Sequence, residues 1–442
     1  MAEIVCAIVQ PVTVPLAGDL FADLGLASAP AWVLHAGGVP ATIDASFADG
    51  LYWGAPLSNI LNCSRASSGY AQTSSGLLVP FSSNVPRITD LGLLVEGGRT
   101  NSLIHNLTLN TAWSRQNVTI GGTTAAPDGS SANLFVQNAG ILPYFVKADQ
   151  GANVVTYTSG VTYTWSIYAK ATPGHSQLFF EKPHNTPFPW ASAVRANLST
   201  GVIDQLSAGM TGKMEPLANG WYRISFTATA AATQATAPGF GALYFDNYGN
   251  STGDGSTGFY LWGAMMEANA PHASSLIATT TAPATRSADN MTGAVAMLAS
   301  YGETGSFRVH GISSPSSFGG FFAFNDNSPS NRVDLRSNQG FLTNCFISAG
   351  GSDRYGSGLF ATAFNAVTKT AVAWSLGNAR CATNGTLGSV GTPTAVPAAA
   401  SITAARIGNF DTGSFHLNNY VKRLSVWRGT RISDADLQSL TA

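Results

Sequence analysis

Period-two alternation constrains this chain more than any other feature. In Thr162-Tyr163-Thr164-Trp165-Ser166-Ile167-Tyr168-Ala169-Lys170, the side chains of Tyr163, Trp165, Ile167 and Ala169 fall on one face, which predicts a half-buried antiparallel strand. Trp221-Tyr222-Arg223-Ile224-Ser225-Phe226-Thr227-Ala228 repeats the arrangement, and Gly258-Phe259-Tyr260-Leu261-Trp262-Gly263-Ala264-Met265 reads as a third long strand. Asn219-Gly220 and Thr200-Gly201 supply turn chemistry between them. Many such strands with closely spaced turns imply an all-β chain built from sandwiches of two antiparallel sheets.

The chain is expected to divide into four parts. Residues 1–45 are apolar and turn-rich without a clear period, and read either as an attachment segment or as a partly ordered leader. Residues 46–99 hold short strands, among them Gly50-Leu51-Tyr52-Trp53 and Leu91-Gly92-Leu93-Leu94-Val95-Glu96, that suggest a small β-layer and linker. Residues 100–286 carry the best alternation and form the first sandwich. Residues 287–442 form a second one, with strands at Ser306–His310, Gly320–Phe324, Lys369–Trp374 and Tyr420–Trp427. It ends in a short helix across Ile432–Leu440, with Ser433 as N-cap and acidic residues in the first turn.

Composition narrows the partners. Among 442 residues there are 22 basic and 23 acidic side chains, and only 10% are charged against 45% hydrophobic, whereas soluble chains average about 25% charged. Nucleic acid is excluded as a partner because no basic excess is available to neutralise phosphates. Glutamate is confined to Glu3, Glu96, Glu181, Glu215, Glu267 and Glu303, which argues against a helical cytoplasmic enzyme. The acidic start Met1-Ala2-Glu3 and the interruptions at Pro11 and Pro15 do not read as a secretory signal. The apolar run from Leu24 to Pro40 is broken by Pro30 and His35, so no membrane insertion is expected. Cys6, Cys63, Cys345 and Cys381 are too far apart for a metal or redox motif and read as buried free thiols.

No catalytic constellation stands out: HExxH, a phosphate-cradling Gly-rich loop and zinc spacing are all absent from the sequence. A glycan depolymerase needs two carboxylates about 5–9.5 Å apart, and Glu96 and Glu267 sit instead where bonds to backbone or to Arg99 or Arg286 are expected. No catalytic residue and no required cofactor are therefore assigned. Asp246, Asn250 and Asp254 gather oxygen ligands on one loop, which reads as a structural calcium site or as an Asx-rich turn, without EF-hand spacing.

Glycan recognition needs flat aromatic faces with convergent polar groups. His175 to Trp190 is the richest segment, with Phe179, Phe180, Glu181, Lys182, His184, Asn185, Phe188 and Trp190 around three prolines. Tyr144, and Tyr244 and Tyr248 beside Asp246, are further candidates, while Trp113, Trp165, Trp221 and Trp262 lie in patterned segments and are expected in the core. Phe324-Asn325-Asp326-Asn327, Asn331-Arg332 and Arg354-Tyr355 are polar-aromatic loops of similar standing, or subunit contacts.

Some of these residues carry a family resemblance. Arg65-Ala66-Ser67-Ser68-Gly69-Tyr70, Pro86-Arg87 and Gly92-Leu93-Leu94-Val95-Glu96-Gly97-Gly98-Arg99-Thr100-Asn101 resemble the linker of many tailed-phage and prophage structural proteins: tail fibres, head fibres and related adhesins, including head spikes of gene transfer agents. The family usually has Ala where Gly98 stands. Trp113, Ala126-Pro127-Asp128-Gly129, Tyr168-Ala169-Lys170, Gly220-Trp221-Tyr222-Arg223, Tyr260–Glu267 and Thr285-Arg286-Ser287-Ala288-Asp289 are similar to the carbohydrate-binding-module-like jelly roll that follows that linker. The carboxy-terminal part is similar to concanavalin-like or laminin-G-like sandwiches. The resemblance implies a non-enzymatic virion-surface fibre or spike that binds host cell-surface polysaccharide, capsule or lipopolysaccharide. It implies docking to other virion proteins through the amino-terminal segment, and assembly as a trimer, or as a pentamer at a capsid vertex. A structural decoration or adaptor protein of the head or tail, and a glycan depolymerase, are the alternatives.

Overall fold

The alternating segments form strands at the centre of a sandwich. The structure, a computed structural model, describes residues 29–189, 194–246, 251–315, 318–338, 342–363, 365–410 and 415–442. Its segments interleave into two units: a composite unit of residues up to Ser64, Ile88–Gly97 and Asp289–Ala442, and an inserted unit of Arg65–Arg87 and Gly98–Ala288. Both are antiparallel β-structures, as the alternation predicts.

Among the described residues, the inserted unit has two six-stranded sheets. The front sheet runs in the order Ser114–Gln116, Phe145–Ala148, Phe240–Phe245, Gln177–Phe180, Val194–Asn197, Val202–Gln205. The back sheet runs Val118–Ala125, Ser131–Gln137, Gly258–Ala268, Thr162–Ala171, Tyr222–Thr229, Thr211–Pro216. Tyr163, Trp165, Ile167 and Ala169 enter the core between them, with Ile224, Phe226 and Ala228 beside them. The four tryptophans expected in the core are buried.

The Thr162–Ala171 strand is more enclosed than its alternation predicts, because Thr164, Ser166 and Tyr168 on the other face are buried too. A second apolar layer of Leu78, Trp221, Trp262, Met265, Leu276 and Ile277 covers that face. Thr164 stays satisfied there, 2.6 Å from the Ala270 carbonyl and 2.7 Å from the Thr227 hydroxyl. The register slips between Ser166 and Tyr168. Gly263 sits at this bulge with φ +64, where a Cβ would lie 2.6 Å from the Tyr168 ring.

The composite unit stacks two sheets over a core that includes Phe307, Phe322, Phe324, Trp374 and Leu424. One runs Ser352–Ala361, Leu342–Ala349, Arg332–Asn338, Gly319–Asn325, Ala404–Ile407, Asn290–Gly293, Leu61–Ser64. The other is centred on Asn419–Arg428, which pairs with Gly305–Ile312, Ile43–Ser46 and Gly92–Val95. The closing helix spans Asp434–Thr441, and the Ser433 hydroxyl caps it by accepting from Asp436 N at 3.0 Å. Cys345 and Cys381 are buried and Cys63 is half-buried, while Cys6 lies outside the described residues.

Two expected boundaries are corrected. Residues 46–99 are not a layer of their own: Leu51–Trp53, Leu61–Ser64 and Gly92–Val95 join the composite unit, while Gly69–Gln72 pairs with Leu78–Phe81 in the inserted unit. Strands this short bury too little to stand alone and are stable only against larger sheets. The described end of the 1–45 segment is likewise built into a sheet, with Ile43–Ser46 lying between Asn419–Arg428 and Leu51–Trp53. Asp44, fully buried, fixes it: its carboxylate accepts from Leu34 N at 2.7 Å, the Ser425 hydroxyl at 2.8 Å and Arg423 Nε at 2.7 Å, and pairs with Arg423 Nη2.

Removing one partner of such a pair leaves an uncompensated charge, so Asp44→Ala is expected to cost about 3–5 kcal/mol, read as a lower urea midpoint for the composite unit. A second outcome concerns acid. His310 stands opposite Lys369 and Arg423 on neighbouring strands, and burial, with the charges of Arg308, Lys422, Lys369 and Arg423, pushes it down from 6.5 to about 4. The folded state resists protonation more than the unfolded one, so this contribution is complete above pH 6.5 and is lost as pH falls towards 4. His310→Gln is expected to flatten the decline of the unfolding midpoint between pH 7 and pH 4.5.

Candidate functional site

The inserted unit's two sheets differ in what lies outside them. The back sheet's outer face carries Tyr168, Trp262 and Met265, which lie beneath Leu78, Leu276 and Ile277. Arg223 adds a polar tie on that side, its guanidinium donating to the Ser274 carbonyl. Glu267 is buried there, accepting from Ser274 N at 3.0 Å and from the Ser274 hydroxyl at 2.6 Å. Burial raises its carboxyl above the usual range against the lowering effects of those bonds and of the Arg223 and Arg286 charges. It is a structural group, as its sequence context suggests.

The front sheet is different. Val146, Ala148, Leu243, Phe245, Leu178, Phe180, Val194 and Ala196 face the core, so the alternate residues face out. Register places Gln116 opposite Phe145, Phe145 opposite Tyr244, Tyr244 opposite Phe179, and Phe179 opposite Arg195. These side chains form one row across five strands. The Phe145 and Tyr244 rings lie 5.1 Å apart, and the Arg195 guanidinium carbon is 5.8 Å from the centre of the Phe179 ring. Arg195 is ion-paired with Asp204, and Lys147 Nζ is 4.0 Å from Asp149. Phe145 and Tyr244 are half-buried, while Phe179 is 7% exposed. The open part of the row is therefore the Phe145–Tyr244 pair, on strands about 4.8 Å apart.

Of the residues singled out in the sequence, the structure brings Phe179 and Tyr244 into this row and places others elsewhere. Phe188 is 0% exposed, its ring 4.9 Å from Tyr157 and 5.2 Å from Trp165, so it is a core residue and presents no stacking face. Tyr144 is buried as well. Its hydroxyl lies 2.7 Å and 2.6 Å from the carbonyls of Asn138 and Gly140 and accepts from Gly253 N at 3.2 Å. Phe180 faces the core, because the segment expected to be a loop begins as the Gln177–Phe180 strand. His184 is half-buried and accepts from Thr186 N at 3.2 Å within its own loop. Glu181, also half-buried, donates its backbone N–H to Ala242 O at 2.8 Å. Trp190, Tyr248 and Asn250 lie outside the described residues.

Asp246 and Asp254 end one hydrogen-bonded chain. Asp246 accepts from Ser176 N at 3.0 Å and bonds His175 Nδ1, His175 Nε2 lies 2.7 Å from the Thr257 hydroxyl, and that hydroxyl lies 2.7 Å from Asp254. Asp254 also accepts from Ser256 N and Thr257 N, both at 2.8 Å. The Thr257 and Ser256 bonds hold its carboxyl far below the usual carboxylate range. These are Asx-turn bonds, and among the described residues no group of three or more His, Cys, Asp or Glu gathers as metal ligands. In the composite unit, Phe324 is a core residue and Tyr355 is buried with its hydroxyl on the Ser389 carbonyl at 2.8 Å. Asp326 is engaged by Ser328 and Asn331.

Phe145 and Arg195 were not singled out by residue type. Their signal is alternation in short segments, Phe145-Val146-Lys147-Ala148 and Val194-Arg195-Ala196-Asn197, where every second residue is small or apolar.

No family model and no curated protein matches the chain, so the linker resemblance rests on its residues alone. Among solved structures, the Ruminococcus gnavus IT-sialidase CBM40 is similar to part of it. The form described without a ligand is 15% identical over 34% of this chain and 88% of that one, with a TM-score of 0.29. The form bound to alpha2,3 sialyllactose is 14% identical over 34% of this chain and 87% of its own, also at 0.29. The form bound to alpha2,6 sialyllactose is 13% identical over 34% and 88%, again at 0.29. A superposition at that score carries no argument about ligand or origin.

Proposed function

We propose that the protein is a non-enzymatic adhesin on the surface of a tailed phage or phage-like particle, and that the inserted unit binds host cell-surface polysaccharide on the outer face of its front sheet. The observation that carries this reading is the row Phe145, Tyr244, Phe179 and Arg195, on a sheet whose partner sheet is covered by a second apolar layer. The half-buried Phe145 and Tyr244 rings offer platforms for pyranose rings, and the Arg195–Asp204 pair and Gln116 at the ends of the row offer hydrogen bonds to hydroxyls. Binding rather than hydrolysis is supported by the engagement of Asp204 with Arg195 and by the burial of Glu267. The virion setting is supported by the linker residues from Gly92 to Asn101.

A shallow face of this kind binds weakly, and linked copies raise effective concentration without new contacts. The reading therefore includes a homo-oligomer, a trimer for a fibre or a pentamer for a spike on a capsid vertex, docked to the particle through the amino-terminal segment.

The test is binding of the labelled protein to host-range cells and to their glycan-deficient mutants, with released reducing sugar measured in the same tubes. Glycan-dependent binding without sugar release is expected. Tyr244→Ala and Phe145→Ala should each weaken it about tenfold, ~1.4 kcal/mol, with unchanged circular dichroism. Binding that ignores the glycan would leave a structural decoration protein, and released sugar would make it a depolymerase.

A further inference from the structure

The composite unit carries a second unusual face, on the sheet that contains Arg332–Asn338 and Leu342–Ala349. Val333, Leu335, Cys345 and Ile347 point into the core, and register sets Asp334 opposite Phe346 and Arg336 opposite Asn344 on the outer side. Asp334 is buried and lies 2.9 Å from Arg332 Nε, and Arg332 has a second carboxylate, Asp353, at 3.6 Å. Arg332 is thus neutralised twice.

Arg336 shares the first of these carboxylates: its Nε is ion-paired with Asp334 at 3.4 Å without a hydrogen bond, and the guanidinium forms no hydrogen bond among the described residues. Instead it lies against two rings, 4.0 Å from the centre of Phe346 and 5.1 Å from that of Phe410. Phe410 stacks on Phe415 at 4.9 Å with an interplanar angle of 13°, and Phe415 is 48% exposed. Beside Arg336, Asn344 is only 5% exposed and its Oδ1 has no hydrogen-bond partner among the described residues. A guanidinium held flat on aromatic rings keeps its edge N–H groups directed for a planar or tetrahedral oxyanion. A buried amide oxygen without a donor is unfavourable until something donates to it.

We propose that this face is a second binding site that takes an oxyanion-bearing saccharide. Its carboxylate or sulfate sits on the Arg336 guanidinium edge, a neighbouring hydroxyl donates to Asn344 Oδ1, and an apolar sugar face stacks on Phe415. The proposal extends the glycan-binding reading to a different unit and a different ligand class, and it uses none of the front-sheet residues.

Calorimetric titration of the full chain with polygalacturonate, dextran sulfate and neutral dextran tests it. Binding of at least one polyanion and not of dextran is expected, and which polyanion binds identifies the oxyanion. Arg336→Ala should weaken it tenfold or more and Phe415→Ala several-fold, while Tyr244→Ala leaves it unchanged. Arg336→Lys keeps the charge but not the fork, so a several-fold loss marks a built site rather than diffuse attraction. The proposal is overturned if the wild type binds no polyanion better than dextran, or if Arg336→Lys and Phe415→Ala both bind like the wild type, whatever Arg336→Ala does to folding. Polyanion binding that persists when host-glycan binding fails would separate this site from the front-sheet reading.

Discussion

The longer of the two excursions from the composite unit, residues 98–288, begins and ends next to residues that are hydrogen-bonded to each other, and the rest of the architecture hangs on that closure. Asp289 N donates to the Glu96 carbonyl at 2.9 Å, and Glu96 N donates to Asp289 Oδ2 at 2.8 Å. On the inserted side, Arg99–Asn101 pairs with Ala284–Arg286. Asn101, fully buried, spends its whole amide there: Nδ2 on the carbonyls of Ala264 and Ile277, and Oδ1 accepting from Leu103 N and Met266 N. The Gly92–Asn101 run and the Thr285–Asp289 run, far apart in the chain, are thus two halves of one device.

Much of this was legible in the chain. Long strands with alternating apolar residues, such as Thr162–Ala171 and Tyr222–Thr229, are specified locally, and so is the helix that follows Ser433. The buried tryptophans follow from the same periodicity. What the residues did not disclose is pairing between distant segments. Asp44 finds Arg423 across 379 positions, and no local signal in either stretch names the other. The same limit explains Phe188 and Tyr144. Their proline- and glycine-flanked contexts look like loops, but whether a loop ring turns inward depends on the cavity that Tyr157, Tyr163 and Trp165 leave for it. Phe145 and Arg195 were hidden for the opposite reason, since strands of four residues give too few periods to stand out.

A chain with few charged residues uses its arginines sparingly and places them on rings. Arg195 on Phe179, Arg223 on Tyr168, Arg336 on Phe346 and Arg423 on Trp32 are all within cation–π range. Guanidinium suits this role because it is weakly hydrated and planar. Arg223 and Arg423 also bond neighbouring acceptors and so tie segments together. Arg195 and Arg336 lie on outward sheet faces.

The interleaved path also sets an order of synthesis. Every strand of the inserted unit exists once residue 288 has been made. Ile43–Ser46 and Gly92–Val95 must wait for Asn419–Arg428, their shared neighbour. For the Asp44–Arg423 pair, 379 positions apart, elongation at about 5–20 residues per second means a delay of roughly 20–75 s. During that interval Leu93, Leu94 and Val95, all buried in the finished protein, have only the adjacent Arg87–Thr89 strand to pair with, and apolar edges left open in this way invite association between nascent chains.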